Sequence, residues 1–277
     1  MNTVRLGLIG DNIMSSSAPR LHMLAAAQHG IELSYELIIP AKFGFDFDGA
    51  LDYARARNFR GVNITLPYKE KAFRHVHVSD PAVRRLGSVN TICFDGENLS
   101  GYNTDYTGFL ESYRSARGEK AAGDVLLIGA GGVGRSVAFA LLELGATRVA
   151  VIDKDKTKAE RLVDELNHHS SGTAERIDIE DIRECDAVIN CSPAGMHGYG
   201  GLPLPEDKFP TRFEWAFDAV YQPVETPFRK LAEGNGVRFI SGFELFFHQG
   251  VDAFSIFTGH DVKEKSTLRD SLLAGLD

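Results

Sequence analysis

Hydrophobic and polar positions along the chain switch between two periods almost from end to end. Short apolar blocks and every-second-residue patterns at 4–10 (VRLGLIG), 33–39 (LSYELII), 61–66 (GVNITL) and 88–94 (SVNTICF) predict strands. Between them, 18–30 (APRLHMLAAAQHG), 47–57 (FDGALDYARAR) and 81–87 (PAVRRLG) predict helices, with Gly30 and Gly87 placed as caps. A second series starts near residue 124. DVLLIGA, TRVAVID, DAVINCS, WAFDAV and VRFIS read as strands. VGRSVAFALLELG, KTKAERLVDELNHH, TPFRKLAEG and FELFFHQGVDAFSIFTG read as helices. Such alternation means βαβ units and a mostly parallel sheet. The segment 107–123 is helical, then polar and glycine-containing, and reads as a joint. The expectation is an α/β protein of two α/β domains with a cleft between them, the usual place for a ligand.

Composition narrows the classes of function. Of 277 residues, 43% are hydrophobic and 25% charged, as in a soluble globular protein. A net charge of −8 argues against nucleic acid and anionic membrane surfaces, which are held by Lys and Arg. Cys93, Cys185 and Cys191 are odd in number and lack metal-site spacing, so a reducing cytoplasm is expected. The opening MNTVRLGLIGD reads as a first strand rather than a signal peptide. No apolar run reaches transmembrane length. The aromatic-rich run FELFFHQGVDAFSIF is interrupted by Glu244, His248, Gln249 and Asp252, which suits a buried helix with Gln249 facing a pocket. His75 with His77, and His168 with His169, lack carboxylates or thiols arranged to close a metal shell, so no metal is expected. His22, on an apolar helix, reads as a packed structural residue.

Two stretches carry chemistry. The first is Gly129-Ala130-Gly131-Gly132-Val133-Gly134, between an apolar strand and an Ala/Leu/Val-rich helix. Glycines at 129, 131 and 134 allow a tight turn and let backbone approach a pyrophosphate on the helix N-terminus. The next strand ends on Asp153, 24 residues beyond Gly129. That suits a carboxylate accepting from ribose hydroxyls and opposes a 2′-phosphate, so NAD is favoured over NADP. Lys154, Lys156 and Lys158 follow and leave a phosphate grip open.

The second stretch is GVNITLPYKEK, where a strand meets Pro67 and ends on Lys69 at a helix start. On these residues alone, a surface lysine and a lysine held at the carboxyl end of a strand are both open. GYNTD places Asp105 at the start of a helix, where Asn103, Thr104 and Asp105 also suit ordinary capping. Cys191 reads as a small apolar thiol at a strand end, since no His/Asp pattern supports a nucleophile.

The chain resembles the shikimate/quinate dehydrogenase family over nearly its whole length. The matching pieces are NITLPYK (63–69), GSVNTI (87–92), GYNTD (101–105), GAGGVG (129–134), NCSPAGM (190–196), DAVYQPVETPF (218–228) and HQGVDAFSIFTG (248–259). The resemblance implies a substrate-binding domain at 1–106, completed by C-terminal helices 243–277, and a Rossmann domain at 107–242. It implies that Lys69 and Asp105 flank the reacting hydroxyl. Lys69 would take the proton during oxidation and Asp105 would orient the hydroxyl and the ammonium. Ser16, Thr65, Asn90, Asp105 and Gln249 match substrate contacts. On the cofactor side it points to Gly132, Val133, Lys154, Asn190, Ser192, Val220, Tyr221 and Gly242 beside the glycines and Asp153. Asp153-Lys154-Asp155 stands where the NADP-using branch carries an Asn-Arg-Thr grip, so the NAD-using quinate/shikimate branch is the better match. The partner is a small molecule, and monomer and homodimer are both open.

One position departs from the family. Two hydroxyl side chains hold the substrate carboxylate in a Ser-x-Ser/Thr-Pro motif, and aligning Pro19 and His22 leaves Ser16 at the first and Ala18 at the second. One lost hydrogen bond to a carboxylate costs about 1.5–3 kcal/mol. Either Ser15, Ser17 or Arg20 compensates, or the substrate is a relative such as an amino-substituted analogue. A non-catalytic dinucleotide-binding regulator is a third reading, opposed by the presence of both Lys69 and Asp105.

Overall fold

The computed structural model describes residues 3–170 and 172–275, and the expected domain ends at 1–2 and 276–277 lie outside them. The chain divides into two compact units, residues 3–107 with 247–275 and residues 108–246.

The first unit carries β1 (Val4–Ile9), α1 (Ala18–Ala27), β2 (Leu33–Ile38), α2 (Pro40–Phe43), α3 (Phe47–Ala56), β3 (Gly61–Ile64), α4 (Lys69–Phe73), α5 (Pro81–Leu86), β4 (Thr91–Asp95) and β5 (Asn98–Tyr102). Its sheet runs β2-β1-β3-β4-β5. β1 lies parallel to β2 and β3, and β4 and β5 add on antiparallel. The apolar pattern gives no sign of β5, because Asn-Leu-Ser-Gly-Tyr is short and polar. It forms because Gly96 turns the chain at φ 58° and β5 then pairs with β4 along its length.

The alternation in VNITL suggests one buried face, but all four residues of β3 are buried, Asn63 included, while Leu66 is 62% exposed. β3 is central, between β1 and β4, so both of its faces are covered. Gly61 is required there, since a Cβ would sit 2.5 Å from the Ile92 carbonyl and 2.4 Å from the Phe257 ring. The predicted cap Gly87 ends α5 in the left-handed region, whereas α1 stops at Ala27, before Gly30.

After α6 (Thr104–Arg117) come β6 (Gly123–Ile128), α7 (Gly132–Glu143), β7 (Ala146–Ile152), α8 (Lys156–His169), β8 (Ala174–Arg176), β9 (Ala187–Asn190), β10 (Trp215–Asp218), α9 (Pro227–Gly234) and β11 (Arg238–Ser241). Then follow α10 (Gly242–Thr258) and α11 (Lys265–Leu273). All six strands are parallel, in the order β11-β10-β9-β6-β7-β8. This is the doubly wound dinucleotide-binding order, and its direction reverses between β6 and β9. α8 covers the residues the periodicity marks, with Asp155 accepting from the Lys158 N–H as its cap. Among the described residues, no helix is long and apolar enough to cross a membrane.

Candidate active site

Lys69 is fixed from several directions. The Ile64 N–H donates to the Asn90 carbonyl at 2.7 Å, and the Thr65 N–H to the Ile9 carbonyl at 3.0 Å. The Tyr68 hydroxyl donates to Asp11 at 2.7 Å while its ring stacks on Phe47 at 5.2 Å. The Lys69 carbonyl accepts from the Val89 N–H at 3.1 Å. Lys69 is therefore the first residue of α4 on an anchored loop.

Asp105 sits in the first turn of α6. Asn103 Oδ1 accepts from the Tyr106 N–H at 3.1 Å and Asn103 Nδ2 donates to the Ser88 carbonyl at 3.0 Å. Asn103 thus does the capping, and Asp105 is left for another task. Lys69 Nζ donates to Asp105 Oδ2 at 2.5 Å, with both residues only 7% exposed. A buried ammonium facing a buried carboxylate can hold and hand over a proton at one point in space.

Around the pair runs a buried polar network. Asn90 Nδ2 donates to Thr104 Oγ1 at 3.0 Å, and Asn90 Oδ1 accepts from the Thr104 N–H at 2.7 Å. Thr104 Oγ1 donates to Gln249 Oε1, 3.3 Å away on α10. Lys69, Asp105, Asn90 and Gln249 are thus brought together by β3, β4, α6 and α10. Ser16 and Thr65 lie on the loops leaving β1 and β3, at the carboxyl edge of the same sheet. Gly10 permits that approach, because a Cβ there would lie 2.3 Å from Thr65 Cγ2. Ser16 Oγ accepts from the Ala18 N–H at 3.2 Å. Ser17 makes no side-chain cap at the start of α1. Arg20 Nη2 is engaged at 2.7 Å on the Ser271 carbonyl of α11, so it is a brace between helices. Asn63, Thr91 and Thr104 belong to this network and carried no signal of their own. Thr104 was within reach, standing beside Asp105 in GYNTD, but it reads there as a cap.

In the second unit the glycine loop joins β6 to α7 at the switch point. Gly129 has φ 101°, and a Cβ there would lie 2.7 Å from the Cys191 carbonyl carbon. At Gly134 a Cβ would lie 1.9 Å from the Gly129 carbonyl oxygen. Gly131, the first residue before α7, offers no side-chain cap, and a Cβ there would meet nothing within 4 Å. Gly132 and Val133 form the first turn of α7. The first N–H groups of this twelve-residue helix therefore carry no side-chain cap, the arrangement a phosphate-binding helix start needs. Asp153 accepts from the Ala130 N–H at 2.7 Å and the Asp155 N–H at 2.8 Å, so it also holds the loop. Lys154 is exposed, whereas Lys156 pairs with Asp178 at 2.8 Å.

Asn190, at the end of β9, is organised by a residue that sequence reasoning passed over. Asp218 accepts from Asn190 Nδ2 at 2.8 Å, the Val220 N–H at 3.1 Å and the Thr226 hydroxyl at 2.6 Å. Burial pushes its carboxyl up to about 6, against those three donors. Asn190 Oδ1 accepts from the Ser192 N–H and hydroxyl at 3.0 and 2.6 Å. Tyr221 stacks on Phe246 at 5.0 Å. Gly242 allows α10 to start against Ala219, whose carbonyl oxygen would lie 2.4 Å from a Cβ. Burial, and then the Asp218 charge, push the Cys191 thiol well up, which disfavours the thiolate.

Comparison with known proteins agrees with both halves. Residues 8–92 match the shikimate dehydrogenase substrate binding domain, and residues 125–198 the saccharopine dehydrogenase NADP binding domain. The chain is 34% identical to a shikimate dehydrogenase (NADP(+)) of Streptomyces avermitilis, over 96% of this chain and 94% of that protein. It is 34% identical to a quinate/shikimate dehydrogenase (NAD(+)) of Corynebacterium efficiens, over 93% and 94%. The solved quinate dehydrogenase from Corynebacterium glutamicum in complex with NAD superposes with a TM-score of 0.91 at 31% identity, covering 99% of this chain and all of that one. With a buried lysine–aspartate pair in one unit, a dinucleotide-type glycine loop in the other and relatives matching end to end, the chain belongs to the shikimate/quinate dehydrogenase family of NAD(P)-dependent oxidoreductases.

Proposed function

We propose that the chain oxidises a ring hydroxyl of a cyclic polyol carboxylate such as quinate or shikimate, with NAD as hydride acceptor. The observation that carries this is the 2.5 Å Lys69–Asp105 contact beside the Asn90–Thr104–Gln249 network. NAD supplies an acceptor for the hydride when bound. The protein's task is to place the hydroxyl and remove its proton as the hydride leaves, typically worth ~10²–10⁴-fold in rate. Lys69 Nζ, in its neutral amine form, takes that proton, and Asp105 stabilises the ammonium formed and orients the hydroxyl. Ser16, Thr65, Asn90 and Gln249 supply hydroxyl and amide partners for a substrate rich in oxygen. The open N–H groups at Gly131, Gly132 and Val133 hold the pyrophosphate, and Asn190, Ser192, Val220 and Tyr221 shape the loops toward the nicotinamide end.

The preference for NAD over NADP rests on charge at the end of β7. A 2′-phosphate would approach the Asp153 carboxylate. Of the neighbouring cations, Lys156 and Arg176 each pair with Asp178 at 2.8 Å and Lys158 lies 3.9 Å from Asp155, so all three are drawn toward carboxylates of this chain.

Ala18 favours a second reading, in which the substrate has a modified carboxylate end. Ser16 is the one hydroxyl at the expected positions, and its oxygen already accepts from the Ala18 N–H. Initial rates with quinate and shikimate, each with NAD and NADP, decide the matter beside Lys69→Ala. NAD-linked turnover abolished in Lys69→Ala supports the first reading. No turnover by a folded protein that binds NAD moves the substrate to relatives altered at the carboxylate.

A further inference from the structure

Behind the site, one chain of hydrogen bonds runs through the first unit. Its direction is fixed at two points by backbone groups that can act in only one way. The Thr104 N–H can only donate, so the Asn90 atom 2.7 Å from it is Oδ1. The Asn90 carbonyl can only accept, so the Asn63 atom 3.5 Å from it is Nδ2. The remaining polarity follows. The Tyr35 hydroxyl donates to Asn63 Oδ1 at 2.8 Å, and Asn63 Nδ2 donates to Thr91 Oγ1 at 3.0 Å. The Thr91 hydroxyl, having accepted, donates to Asn90 Oδ1 at 3.1 Å. Asn90 Nδ2 donates to Thr104 Oγ1 at 3.0 Å, which spends its own proton on Gln249 Oε1 at 3.3 Å. Thr104 Oγ1 also lies 3.2 Å from Asn90 Oδ1, but that oxygen already has two donors.

We propose that Tyr35, Asn63 and Thr91 are positioning residues that set the orientation of the Gln249 amide, turning Oε1 toward Thr104, and so tune how Gln249 meets the substrate. This rests on the reading of Gln249 as a substrate contact. The head of the chain is built to hold one state. The Tyr35 ring stacks on His22 at 5.1 Å and 19°, and His22 is enclosed with Phe257 at 5.7 Å and Phe254 at 6.3 Å. Burial pushes the His22 imidazole down to about 3, with its hydrogen bond to Asn63 opposing, and pushes the Tyr35 phenol up. Tyr35 therefore stays a donor beside a neutral ring throughout the range in which the enzyme works.

The test uses Thr91→Val, which keeps the shape and deletes the hydroxyl, Thr91→Ser, which restores it, and Tyr35→Phe. Side-chain amide signals of Gln249 in ¹H–¹⁵N spectra of the ligand-free protein report the orientation without turnover. Steady-state kinetics with quinate and shikimate report its consequence. The expected result is a shift of the Gln249 signals in Thr91→Val and a KM raised about tenfold at nearly constant kcat, as for one disturbed hydrogen bond. Thr91→Ser should restore both, and Tyr35→Phe should move both in the same direction. Unshifted Gln249 signals, a loss confined to kcat, or no rescue by serine would overturn the proposal. If the wild type turns over neither acid, the proposed function fails, and the amide signals still decide this inference.

Discussion

Asp218→Asn should remove a pH dependence from stability whose size follows from the structure. Asp218 is fully buried, and its carboxyl is raised from 3.8 to about 6 by that burial. A raised acid binds its proton more tightly folded than unfolded. Its contribution is therefore fully present below pH 3.8 and lost as pH rises through about 6. A difference of about two units corresponds to about 3 kcal/mol. Asparagine resembles the protonated acid in shape and charge, keeping one oxygen for Asn190 and Val220 and turning its NH₂ toward the Thr226 hydroxyl. The variant should match the wild type near pH 4 and exceed it by up to about 3 kcal/mol at pH 8. Urea unfolding of both proteins at intervals from pH 4 to 8 measures this, since every other titrating group cancels in the difference. A stability difference that stays flat across that range would show that the site holds an ordinary ionised carboxylate, and the burial argument would be wrong.

Other changes probe the remaining parts. Gly134→Ala places a Cβ 1.9 Å from the Gly129 carbonyl oxygen, so the loop must open and NAD affinity should collapse, read by isothermal titration. Ala18→Ser should raise kcat/KM for a carboxylate-bearing substrate by roughly ten- to a hundredfold if the second hydroxyl completes the grip; unchanged kinetics would place the carboxylate elsewhere. Asp105→Ala leaves the Lys69 ammonium buried and unpaired, a loss of about 3–5 kcal/mol in urea unfolding. Adding Lys69→Ala should recover part of that loss, and strict additivity would contradict a coupled pair. Asp153→Ser should raise the NADP:NAD ratio of kcat/KM, because it removes the charge that opposes a 2′-phosphate.

What the chain determines by itself is local. The 2.0 and 3.6 periods locate most strands and helices, because burial of one face imposes them wherever the element lies. The glycine loop is legible for the same reason, since a tight turn against a helix start leaves no room for a Cβ at Gly129 or Gly134. Lys69 and Asp105 were legible as a pair only through the resemblance, not from their own stretches of sequence. They stand 36 residues apart, and the close approach of β3 and the α6 N-terminus makes them partners. Asn63 looks like the outward residue of an alternating strand until β4 covers that face and supplies Thr91 at 3.0 Å. Arg20 looks like a solvated helix start or a carboxylate grip until α11 offers a carbonyl 251 residues away. Asp218 is one more acid at a strand end until Asn190, Val220 and Thr226 all donate to it. A polar side chain carries no mark of its partner in its own neighbourhood of sequence. Its charge state and role are set by which distant donors and acceptors burial brings against it, and only the packed structure decides that.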